Sequence, residues 1–420
     1  MKLTGKPTTW EDPAAAAIGA ILGAYNHAVP RSDLASARSL LEDFAPTRPR
    51  HHVVVVGTNG KTSTATFLAR LLAGSGTRVG LYTSPHIARW TERVRIDGAP
   101  VDGDELISTL ARIDRVAAGS RDSRPDLRFF DLLTLAAEDI FGRAGVEVAI
   151  FEAGIGGRLD ATRVLEPELA VLTSIGDDHR EQLGTTAGQI LEQKLAAAPP
   201  GATLVAGALT PALSARARAW AAREGVGLTQ IEDPGPAAGE LPHFQRHNLA
   251  LAQRAAELAG NLFGLPPARQ LTELGVWGRF ERGRLDGVSY LADVAHNPSA
   301  WRELLAELPR ASPERRWVAV VALTVERQAE ELAGALAGAP AIKHVVATVT
   351  PVRTPRDPAE IVAAVARGGA APPSAEVCET PDAAFEVAAG AAARGDLDLL
   401  VTGSNYLVSE FLAWLANRTY

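Results

Sequence analysis

Cysteine is nearly absent from the chain: only Cys378 is a cysteine among its 420 residues. A single cysteine excludes an intrachain disulfide and a metal site built from several thiolates. Disulfide-stabilised domains belong to oxidising compartments, so this composition favours a reducing one. We therefore expect a cytoplasmic protein.

Long apolar runs and an excess of basic residues are also missing. No apolar run approaches the ~20 residues that a membrane helix requires. The N-terminal stretch AAAAIGAILGAY follows Glu11 and Asp12, which favours an ordinary helix over a signal peptide. Lys and Arg number 42 against 49 Asp and Glu, a net charge of −7. The sequence therefore predicts neither a nucleic-acid partner nor membrane association.

Short, nearly continuous apolar runs recur along the chain, with helical patterns such as 62–76 and 382–395 between them. Strands that are covered on both faces have this composition. The alternation predicts an α/β fold with parallel sheets. The strand candidates are 52–56, 78–82, 146–151, 169–174, 202–206, 289–294, 317–323, 344–349 and 398–403.

The chain is long enough for two or three domains. Two stretches rich in Gly, Pro or charge, 232–242 and 278–287, are candidate loops or hinges. The second precedes a new strand candidate, so we predict a domain boundary near residue 285. The predicted domains are 1–285 and 286–420.

The segment VVVVGTNGKTSTAT at 53–66 places a buried strand directly before a glycine-containing loop. The general phosphate loop has four residues between its glycines, whereas only two separate Gly57 from Gly60. The strand before, the Gly-Lys-Thr triplet and the helix after still predict a loop that binds nucleotide phosphates. A glycine turn that merely caps a helix is the alternative. The predicted nucleotide-binding residues are Gly57, Thr58, Asn59, Gly60, Lys61, Thr62 and Ser63.

Six further segments, in this order along the chain, resemble one family. GTNGKTS is similar to the short phosphate loop of the Mur ligase superfamily. Within that superfamily the chain resembles folylpolyglutamate synthase/dihydrofolate synthase. The segments that carry the likeness are LYTSPHIARWTERVRIDG (81–98), FFDLLTLAA (129–137), FEAGIGGRLDAT (151–162), TSIGDDHREQLG (173–184), DVAHNP (293–298) and VTGSNYLVSE (401–410).

The resemblance implies ATP-dependent amide formation through an acyl phosphate, with a folate or dihydropteroate carboxylate and L-glutamate as substrates. It implies an N-terminal phosphate-loop ATPase-type domain with a mainly parallel sheet and the folate site, a small insertion, and a C-terminal Rossmann-like domain for glutamate. ATP and Mg²⁺, with two metal ions, are the implied cofactors, and we expect a monomer.

Three residues follow strand candidates, where α/β sheets place their sites. The resemblance implies that Ser84 and Glu152 hold one Mg²⁺ and that Glu152 and His179 help to hold a second. Thr62 is the alternative hydroxyl ligand. Each residue has a structural alternative: a turn residue before Pro85 for Ser84, a surface carboxylate for Glu152 and a loop residue for His179.

Lys194 lies on a predicted helix fifteen residues after His179. The family has at this position a lysine that is carbamylated, which turns a cation into an anion that supports magnesium. A solvated helix lysine is the alternative. The following Leu-Ala-Ala departs from the family's usual Ala-Gly-Ile, so carbamylation is a hypothesis.

The resemblance assigns the remaining roles. Asn248, spaced from Gln245 as in the family, would bind adenine, Arg279 would reach the ATP phosphates, and Asp293 and His296 would face nucleotide and glutamate. A salt bridge is the alternative role for Arg158, and a helix cap is the alternative for Ser404. The implied catalytic residues are Lys61, Lys194, Asp293 and His296, and the implied substrate-binding residues are Asp160, Arg158, His296 and Ser404. Asp160 would contact the pterin or take part in the network that positions it.

Two further sites depart from the family pattern. Phe244 stands where the family has histidine, which weakens the adenine assignment, and 324–332 lacks the usual Asp-Lys-Asp. The second departure predicts altered domain closure, glutamate affinity or specificity, or a paralogue that acts on another acid.

Three functions compete. A folate-type ligase is favoured over a cell-wall Mur ligase because about 56 residues before Gly57 are too few for a separate N-terminal UDP-binding domain. A nucleotide-binding regulator without catalysis would need broken site residues, and Lys61, Glu152, His179, Asp293 and His296 are intact. The sequence leaves open whether the first glutamate, later glutamates or both are added.

Overall fold

The computed structural model describes residues 12–25, 31–45, 47–119, 126–231, 241–351, 354–368 and 372–418. The chain divides into two compact units, one ending at Leu274 and the other beginning at Gly275. Each unit carries its own sheet with helices between its strands. This confirms the predicted α/β class.

The first unit contains an eight-stranded sheet. Its strands are β1 His51–Val56, β2 Val79–Tyr82, β3 Val94–Ile96, β4 Ala99–Pro100, β5 Val148–Glu152, β6 Leu169–Leu172, β7 Thr203–Ala206 and β8 Gly227–Gln230. Its α-helices are α1 Ala15–Gly23, α2 Ala35–Phe44, α3 Lys61–Gly74, α4 Gly103–Ala118, α5 Phe129–Arg143, α6 Arg180–Leu183, α7 Ala187–Leu195, α8 Pro211–Glu224 and α9 His243–Phe263.

The strand order of this sheet is β4-β3-β2-β5-β1-β6-β7-β8. The six strands from β2 to β8 in this order are parallel, and β3 and β4 pair antiparallel at one edge. Strand β1 lies between β5 and β6, and the chain leaves it toward β2 on one side and reaches β6 on the other. Open α/β sheets bind ligands at the carboxyl ends of strands where the order reverses in this way. The loop after β1 therefore occupies the favoured position.

Burial explains why the central strands were recognisable. Val53, Val54, Val55 and Val56 of β1 are completely buried, and every residue of β5 and β6 is buried. Strands covered on both faces favour branched apolar side chains throughout rather than at alternate positions. These strands form the core of the first unit together with the buried faces of α4 and α5.

The second unit contains a six-stranded sheet with the order β13-β12-β11-β14-β10-β9. Only β9 runs antiparallel to its neighbour. The strands are β9 Glu281–Leu285, β10 Val288–Ala292, β11 Trp317–Val321, β12 Ile342–Ala347, β13 Ser374–Val377 and β14 Asp398–Thr402. The helices are α10 Pro298–Ala311, α11 Ala329–Ala337, α12 Pro358–Arg367, α13 Pro381–Gly395 and α14 Asn405–Arg418.

The interpretation of 278–287 as a loop or hinge is wrong, because Glu281–Leu285 forms β9. This strand pairs antiparallel with β10 through a tight turn at Asp286 and Gly287, both of which have positive φ. Its burial alternates along the strand, as expected for an edge strand whose charged side chains face water. The division between the units accordingly lies before β9, earlier than the predicted boundary near 285. The other candidate hinge, 232–242, lies mostly outside the described residues.

None of the helices in the described ranges combines the length and the apolar character that crossing a membrane requires.

Candidate active site

The loop between β1 and α3 closes tightly on its surroundings at both glycines. A Cβ atom on Gly57 would lie 1.8 Å from Thr173 Oγ1, and one on Gly60 would lie 2.2 Å from Asn248 Oδ1. Gly60 also has a φ of +84°, a left-handed conformation that side chains disfavour. Both positions therefore require glycine, and α3 begins directly after Gly60 with its N-terminus at the loop.

The loop backbone is anchored to the end of the neighbouring strand β6. The Thr58 amide donates to Ser174 O at 2.9 Å, and the Asn59 amide donates to Ser174 Oγ at 3.0 Å. Thr173 Oγ1 donates to Asn59 O at 2.6 Å, and the Gly176 amide donates to Thr58 Oγ1 at 3.0 Å. The segment TSIG (173–176) therefore fixes the backbone conformation of the loop.

We expect Gly60→Ala to weaken nucleotide binding about tenfold, which equals ~1.4 kcal/mol. The new methyl group would displace Asn248 and reshape the loop. Gly76→Ala is the matched control, since Gly76 has a φ of +95° and no atom within 4 Å of an added Cβ. It should cost ~1–2 kcal/mol of stability from backbone strain and leave the nucleotide Kd unchanged. Equal nucleotide affinities for the two variants, measured by calorimetry, would contradict the assignment of the loop.

Two lysines meet at one carbonyl of this loop. Lys61 Nζ donates to Gly57 O at 3.2 Å and to Thr58 O at 3.1 Å. Lys194 Nζ, from α7, donates to Gly57 O at 2.8 Å. The structure thus brings two predicted catalytic residues together although 133 positions (194 − 61) separate them in the sequence.

Lys194 is not a solvated helix residue, because its side chain is buried. Burial and, second to it, the charge of Lys61 lower the pKa of Lys194 to about 7, against the opposing charges of Asp178 and Asp160. Helix α7, which carries Lys194, is fixed at its start by a capping box between Thr186 and Gln189. A substantial fraction of this amine is therefore neutral near pH 7.

Three of the predicted metal and phosphate residues are in direct contact. Thr62 Oγ1 lies 3.0 Å and 2.9 Å from the two carboxylate oxygens of Glu152. The amide of Ser84 donates to Glu152 Oε2 at 3.1 Å. Since Glu152 is the last residue of β5 and is buried, its carboxylate joins the ends of β1, β2 and β5. This cluster offers oxygen atoms, the ligands that Mg²⁺ prefers.

Ser84 has a partner that the sequence reading missed. Arg93 Nη1 donates to Ser84 Oγ at 2.8 Å, and Arg93 Nε donates to His86 Nδ1 at 2.9 Å. The guanidinium also lies 4.6 Å from the ring centroid of Trp90. Burial lowers the pKa of His86 to about 3, and the charge of Arg93 contributes. Because arginine can only donate, His86 is neutral and carries its proton on Nε2.

His179 directly precedes α6 and has a φ of 52°, and its Nε2 lies 3.8 Å from Asp178 Oδ2. Its predicted pairing with Glu152 on a second metal ion stays a prediction. Within the described ranges, no three or more His, Cys, Asp or Glu side chains cluster so as to hold a metal ion.

Asp160 organises the loop that follows Glu152. Its Oδ2 accepts from the amides of Gly154 at 2.9 Å and Ile155 at 3.2 Å. Its Oδ1 accepts from the Thr162 amide at 3.0 Å and hydroxyl at 2.7 Å. Burial raises the pKa of Asp160, and these hydrogen bonds oppose the rise. This geometry favours the positioning role over direct substrate contact, whereas Arg158 of the same loop is exposed.

Helix α9 contacts the start of α3 through an amide network. Gln245 Nε2 donates to Ser63 Oγ at 3.0 Å, and Asn248 Nδ2 donates to Gln245 Oε1 at 3.1 Å. Asn248 therefore lies directly against Gly60 of the phosphate loop. This position suits a nucleotide contact, and binding of the adenine by Asn248 stays a prediction.

In the second unit, Asp293 follows β10 and holds two amides. It accepts from Phe280 N at 2.7 Å and from Ala295 N at 2.8 Å. Burial raises the pKa of Asp293, and the charge of Arg279 opposes the rise. His296 Nδ1 lies 2.9 Å from Val294 O, so this nitrogen carries the proton when the ring is neutral.

Ser404 takes the helix-cap arrangement that was its alternative role. It lies buried before α14, and its Oγ accepts from Tyr406 N at 3.2 Å. Its contact with glutamate stays a prediction. Arg279 lies near Asp293 within the same unit, and its reach to ATP phosphates also stays a prediction.

The segment 324–332 is held by an arginine from elsewhere in the second unit. Arg356 donates from Nη2 to Val325 O at 2.8 Å and from Nε to Arg327 O at 2.7 Å. Helix α11 then begins at Ala329. The missing Asp-Lys-Asp is thus replaced by a loop with a fixed backbone, and the functional effect of this change stays a prediction.

The TSPH segment also contains a buried organiser that sequence reading passed over. The carboxylate of Glu92 accepts from the amides of Ile87 at 2.9 Å, Ala88 at 2.9 Å and Arg89 at 2.6 Å. Burial raises the pKa of Glu92 against these hydrogen bonds. Glu92 lies within the segment 81–98 that carries the family resemblance, but an ordinary surface pair can also place a glutamate directly before an arginine.

The parallel sheet, the glycine-containing loop and the oxygen-rich cluster define a phosphate-loop nucleotide-binding protein. The family model described as the glutamate ligase domain of Mur ligases matches residues 278–405. The dihydrofolate synthase/folylpolyglutamate synthase of Haemophilus influenzae is 30% identical over 330 residues, which cover 70% of this chain and 73% of that protein. The chain belongs to the dihydrofolate synthase/folylpolyglutamate synthase family, as predicted.

A longer relative is also similar to this chain. A probable bifunctional folylpolyglutamate synthase/dihydropteroate synthase of Halobacterium salinarum is 33% identical over 389 residues, 86% of this chain but only 46% of that protein. The chain thus spans about half the length of that relative.

Mycobacterium tuberculosis folylpolyglutamate synthase, complexed with ADP, superimposes with a TM-score of 0.82 at 25% identity and covers 96% of this chain and 99% of that one. The bifunctional synthase of Yersinia pestis, complexed with AMPPNP and Mn, gives a TM-score of 0.78 at 26% identity, covering 97% and 99%.

Proposed function

We propose that this protein is an ATP-dependent ligase that joins a folate or dihydropteroate carboxylate to the amine of L-glutamate through an acyl phosphate, releasing ADP and phosphate. The contacts of Glu152 with Thr62 and Ser84 carry the proposal, because they join the phosphate loop to a carboxylate at the carboxyl end of the central strand β5. Family membership narrows the acceptor to a folate-type acid.

The site fits ATP and a divalent cation. Helix α3 directs its N-terminus and Lys61 toward the loop, as polyphosphate binding requires. The hydroxyls of Thr62 and Ser84 and the carboxylate of Glu152 are hard oxygen donors that suit Mg²⁺. The bound metal would supply positive charge between two anions, which otherwise repel each other. A second Mg²⁺, with His179 as a ligand, belongs to this proposal.

The reaction needs little covalent chemistry from the protein. The acid carboxylate attacks the terminal phosphorus of ATP, and the bond to ADP breaks. The glutamate amine, after losing a proton, attacks the acyl carbon and expels phosphate. Catalysis then consists of positioning and charge stabilisation. Lys61 and the loop amides stabilise phosphate charge, and we assign Asp293 and His296 to the glutamate step.

We propose carbamylation of Lys194 as part of this function. A neutral lysine amine attacks CO₂, forms an N–C bond and releases a proton, leaving an anionic carbamate. A pKa of about 7 supplies that neutral amine, and nearby Lys61 stabilises the product charge. Lys194→Arg keeps the cation but cannot be carbamylated, so we expect turnover to fall about 10–100-fold, the range found for groups that support metal ligands.

The modification has a direct readout. Intact-protein mass should rise by one CO₂ when bicarbonate is present, more above about pH 7 than below it, because only the neutral amine reacts. Lys194→Arg should show no such rise. Full activity in Lys194→Ala, or a mass unchanged by bicarbonate, would refute the assignment.

Phosphate release with ATP and L-glutamate tests the main proposal. Dihydropteroate and tetrahydrofolate serve as alternative acceptors, and the faster one identifies whether the first or a later glutamate is added. Glutamate-dependent release with neither acceptor would refute the folate assignment and favour a Mur-type paralogue with another acid. Release with both would indicate a bifunctional enzyme.

A further inference from the structure

Arg31 lies just before α2 and reaches three other parts of the first unit. Its Nη1 donates to Asp131 Oδ1 at 3.0 Å, and its Nη2 forms a second, short bond to Asp131 Oδ2. Nη2 also donates to Asp126 O at 3.1 Å, and Nη1 lies 3.5 Å from Leu159 O. One side chain thus contacts the segment before α5, the first turn of α5 and the loop after β5.

The pair is buried to an unusual degree. The side chains of Arg31 and Asp131 are each only 2% exposed. Burial lowers the pKa of Arg31, but the hydrogen bond and charge of Asp131, with the charges of Asp126 and Asp160, outweigh it and raise the pKa. The guanidinium therefore remains charged and balances several carboxylates. Because the guanidinium forms two parallel hydrogen bonds to Asp131, the contact fixes the orientation of the two side chains as well as their distance.

The contact to Leu159 O links Arg31 to the active site. Leu159 immediately precedes Asp160, whose carboxylate holds the amides of Gly154 and Ile155. This loop continues directly from Glu152, which contacts the phosphate loop through Thr62. Displacement of Leu159 would therefore move the backbone that follows the metal-binding carboxylate.

The same loop offers an apolar surface. Ile155 is 43% exposed, which is high for an isoleucine. A Cβ on Gly154 would lie 3.1 Å from Phe130 Cζ, so the half-buried Phe130 ring covers this glycine. Phe130 stands in the first turn of α5, beside Asp131. The Phe130 ring of one segment that Arg31 contacts thus lies against the backbone of the other, two residues after Glu152.

We propose that Arg31 is a positioning residue for the carboxylic-acid substrate, acting by holding the first turn of α5 against the loop 153–160. The proposal rests on the function proposed above. Arg31 makes no contact with the reacting atoms. It sets the surface on which the apolar part of the acid rests while the carboxylate approaches the terminal phosphate of ATP. Displacement of this surface weakens binding of the acid, which raises its KM, and also misaligns the reacting atoms, which lowers the rate.

The test compares Michaelis constants for the three substrates. Arg31→Met should raise the KM for the acid about tenfold or more and leave the KM values for ATP and L-glutamate within about twofold. Arg31→Lys keeps the charge but loses the two parallel hydrogen bonds, so its KM for the acid should lie between wild type and Arg31→Met. If Arg31→Met does not fold, Arg31→Lys and Asp131→Asn carry the same test.

Arg38→Met is the matched control. Arg38 also lies in this part of the chain and pairs with Glu166 at 2.9 Å, but both side chains are 46% exposed. An exposed pair contributes ~0–1 kcal/mol, so the three KM values should not change.

Two failures are distinguishable. A wild-type enzyme without glutamate-dependent phosphate release would refute the proposed function itself. An active wild type, with Arg31 variants that change all three KM values equally or lose only thermal stability, would overturn the positioning role and leave the function intact.

Discussion

Replacing Lys61 with methionine is expected to lower ATP-dependent turnover by about 10²–10³-fold, the range found when one charge-stabilising donor is removed. Lys61 Nζ donates hydrogen bonds to the backbone carbonyls of Gly57 and Thr58, next to the N-terminus of α3. Methionine keeps most of the side-chain volume but removes the charge that stabilises the transferred phosphoryl group. The loop geometry depends mainly on Thr173, Ser174 and the two glycines, so the variant should fold.

The same substitution should alter Lys194. The charge of Lys61 helps to lower the pKa of Lys194 to about 7, second only to burial. Without that charge the pKa rises, so less neutral amine is available at a given pH. Bicarbonate-dependent mass gain in Lys61→Met should therefore require a higher pH than in wild type. This second readout does not depend on turnover.

Lys343→Met serves as the control, because Lys343 is an exposed residue of β12. It should retain wild-type kinetics. Turnover in Lys61→Met above about a tenth of the wild-type rate would contradict the role of the loop lysine, and so would an unchanged pH dependence of carbamylation.

Glu138→Gln is expected to lower the free energy of unfolding by about 3 kcal/mol. Glu138 of α5 is completely buried, and its carboxylate lies 3.0 Å from His52 Nε2 and 2.7 Å from Arg48 Nε. Removing one partner of a buried ion pair leaves the others uncompensated. The expected loss is at the low end of that for broken buried ion pairs, because Arg48 is 37% exposed and keeps part of its hydration. Urea denaturation measures the change.

The pH dependence of stability provides a second check. Burial raises the pKa of Glu138, but the hydrogen bonds and charges of His52 and Arg48 outweigh it and lower the pKa below its ordinary value. A carboxylate with a lowered pKa in the folded state stabilises the protein above the unfolded-state pKa. This contribution is lost as the pH falls through the folded-state pKa. Wild type should therefore lose stability in acid more steeply than Glu138→Gln.

Glu166→Gln is the matched control for this prediction. Glu166 pairs with Arg38 and Arg163, but its side chain is 46% exposed. Neutralising it should cost less than about 1 kcal/mol. Equal losses for Glu138→Gln and Glu166→Gln would contradict the importance of the buried group.

All nine strand candidates from the sequence correspond to strands of the structure, with ends that differ by a few residues. The missed strands β3, β4, β8, β9 and β13 lie at or near sheet edges. Edge strands expose one side or both, so they carry charged and polar residues, as in ERGRL of β9 and SAEV of β13. Local apolar patterning therefore does not predict these strands, because they form by pairing with neighbouring strands and not by burying a continuous apolar run.

The candidate site likewise contains residues that the sequence identifies and residues that it does not. Residues that stand in a recognisable order, such as Lys61, Thr62, Ser84 and Glu152, could be selected from the sequence. Arg31 was not selected because it fixes backbone groups that are remote in the sequence. Arg93 lies within the segment 81–98, but its contacts with Ser84 and His86 form only when that segment folds back on itself. An arginine in VPRSDL or TERV looks the same whether it is buried or solvated. Ser404 is a residue whose motif allowed both a ligand contact and a helix cap, and in the structure its hydroxyl caps α14.

The sequence by itself determined the α/β class, the phosphate loop and the family, because buried strands and close backbone approaches restrict residue types locally. Glycine at positions 57 and 60 is one such local requirement. Only the tertiary structure decided the environment of each charge. Lys194 has a pKa of about 7, and Arg31 and Glu138 are buried ions, because burial and neighbouring charges depend on segments that meet only after folding.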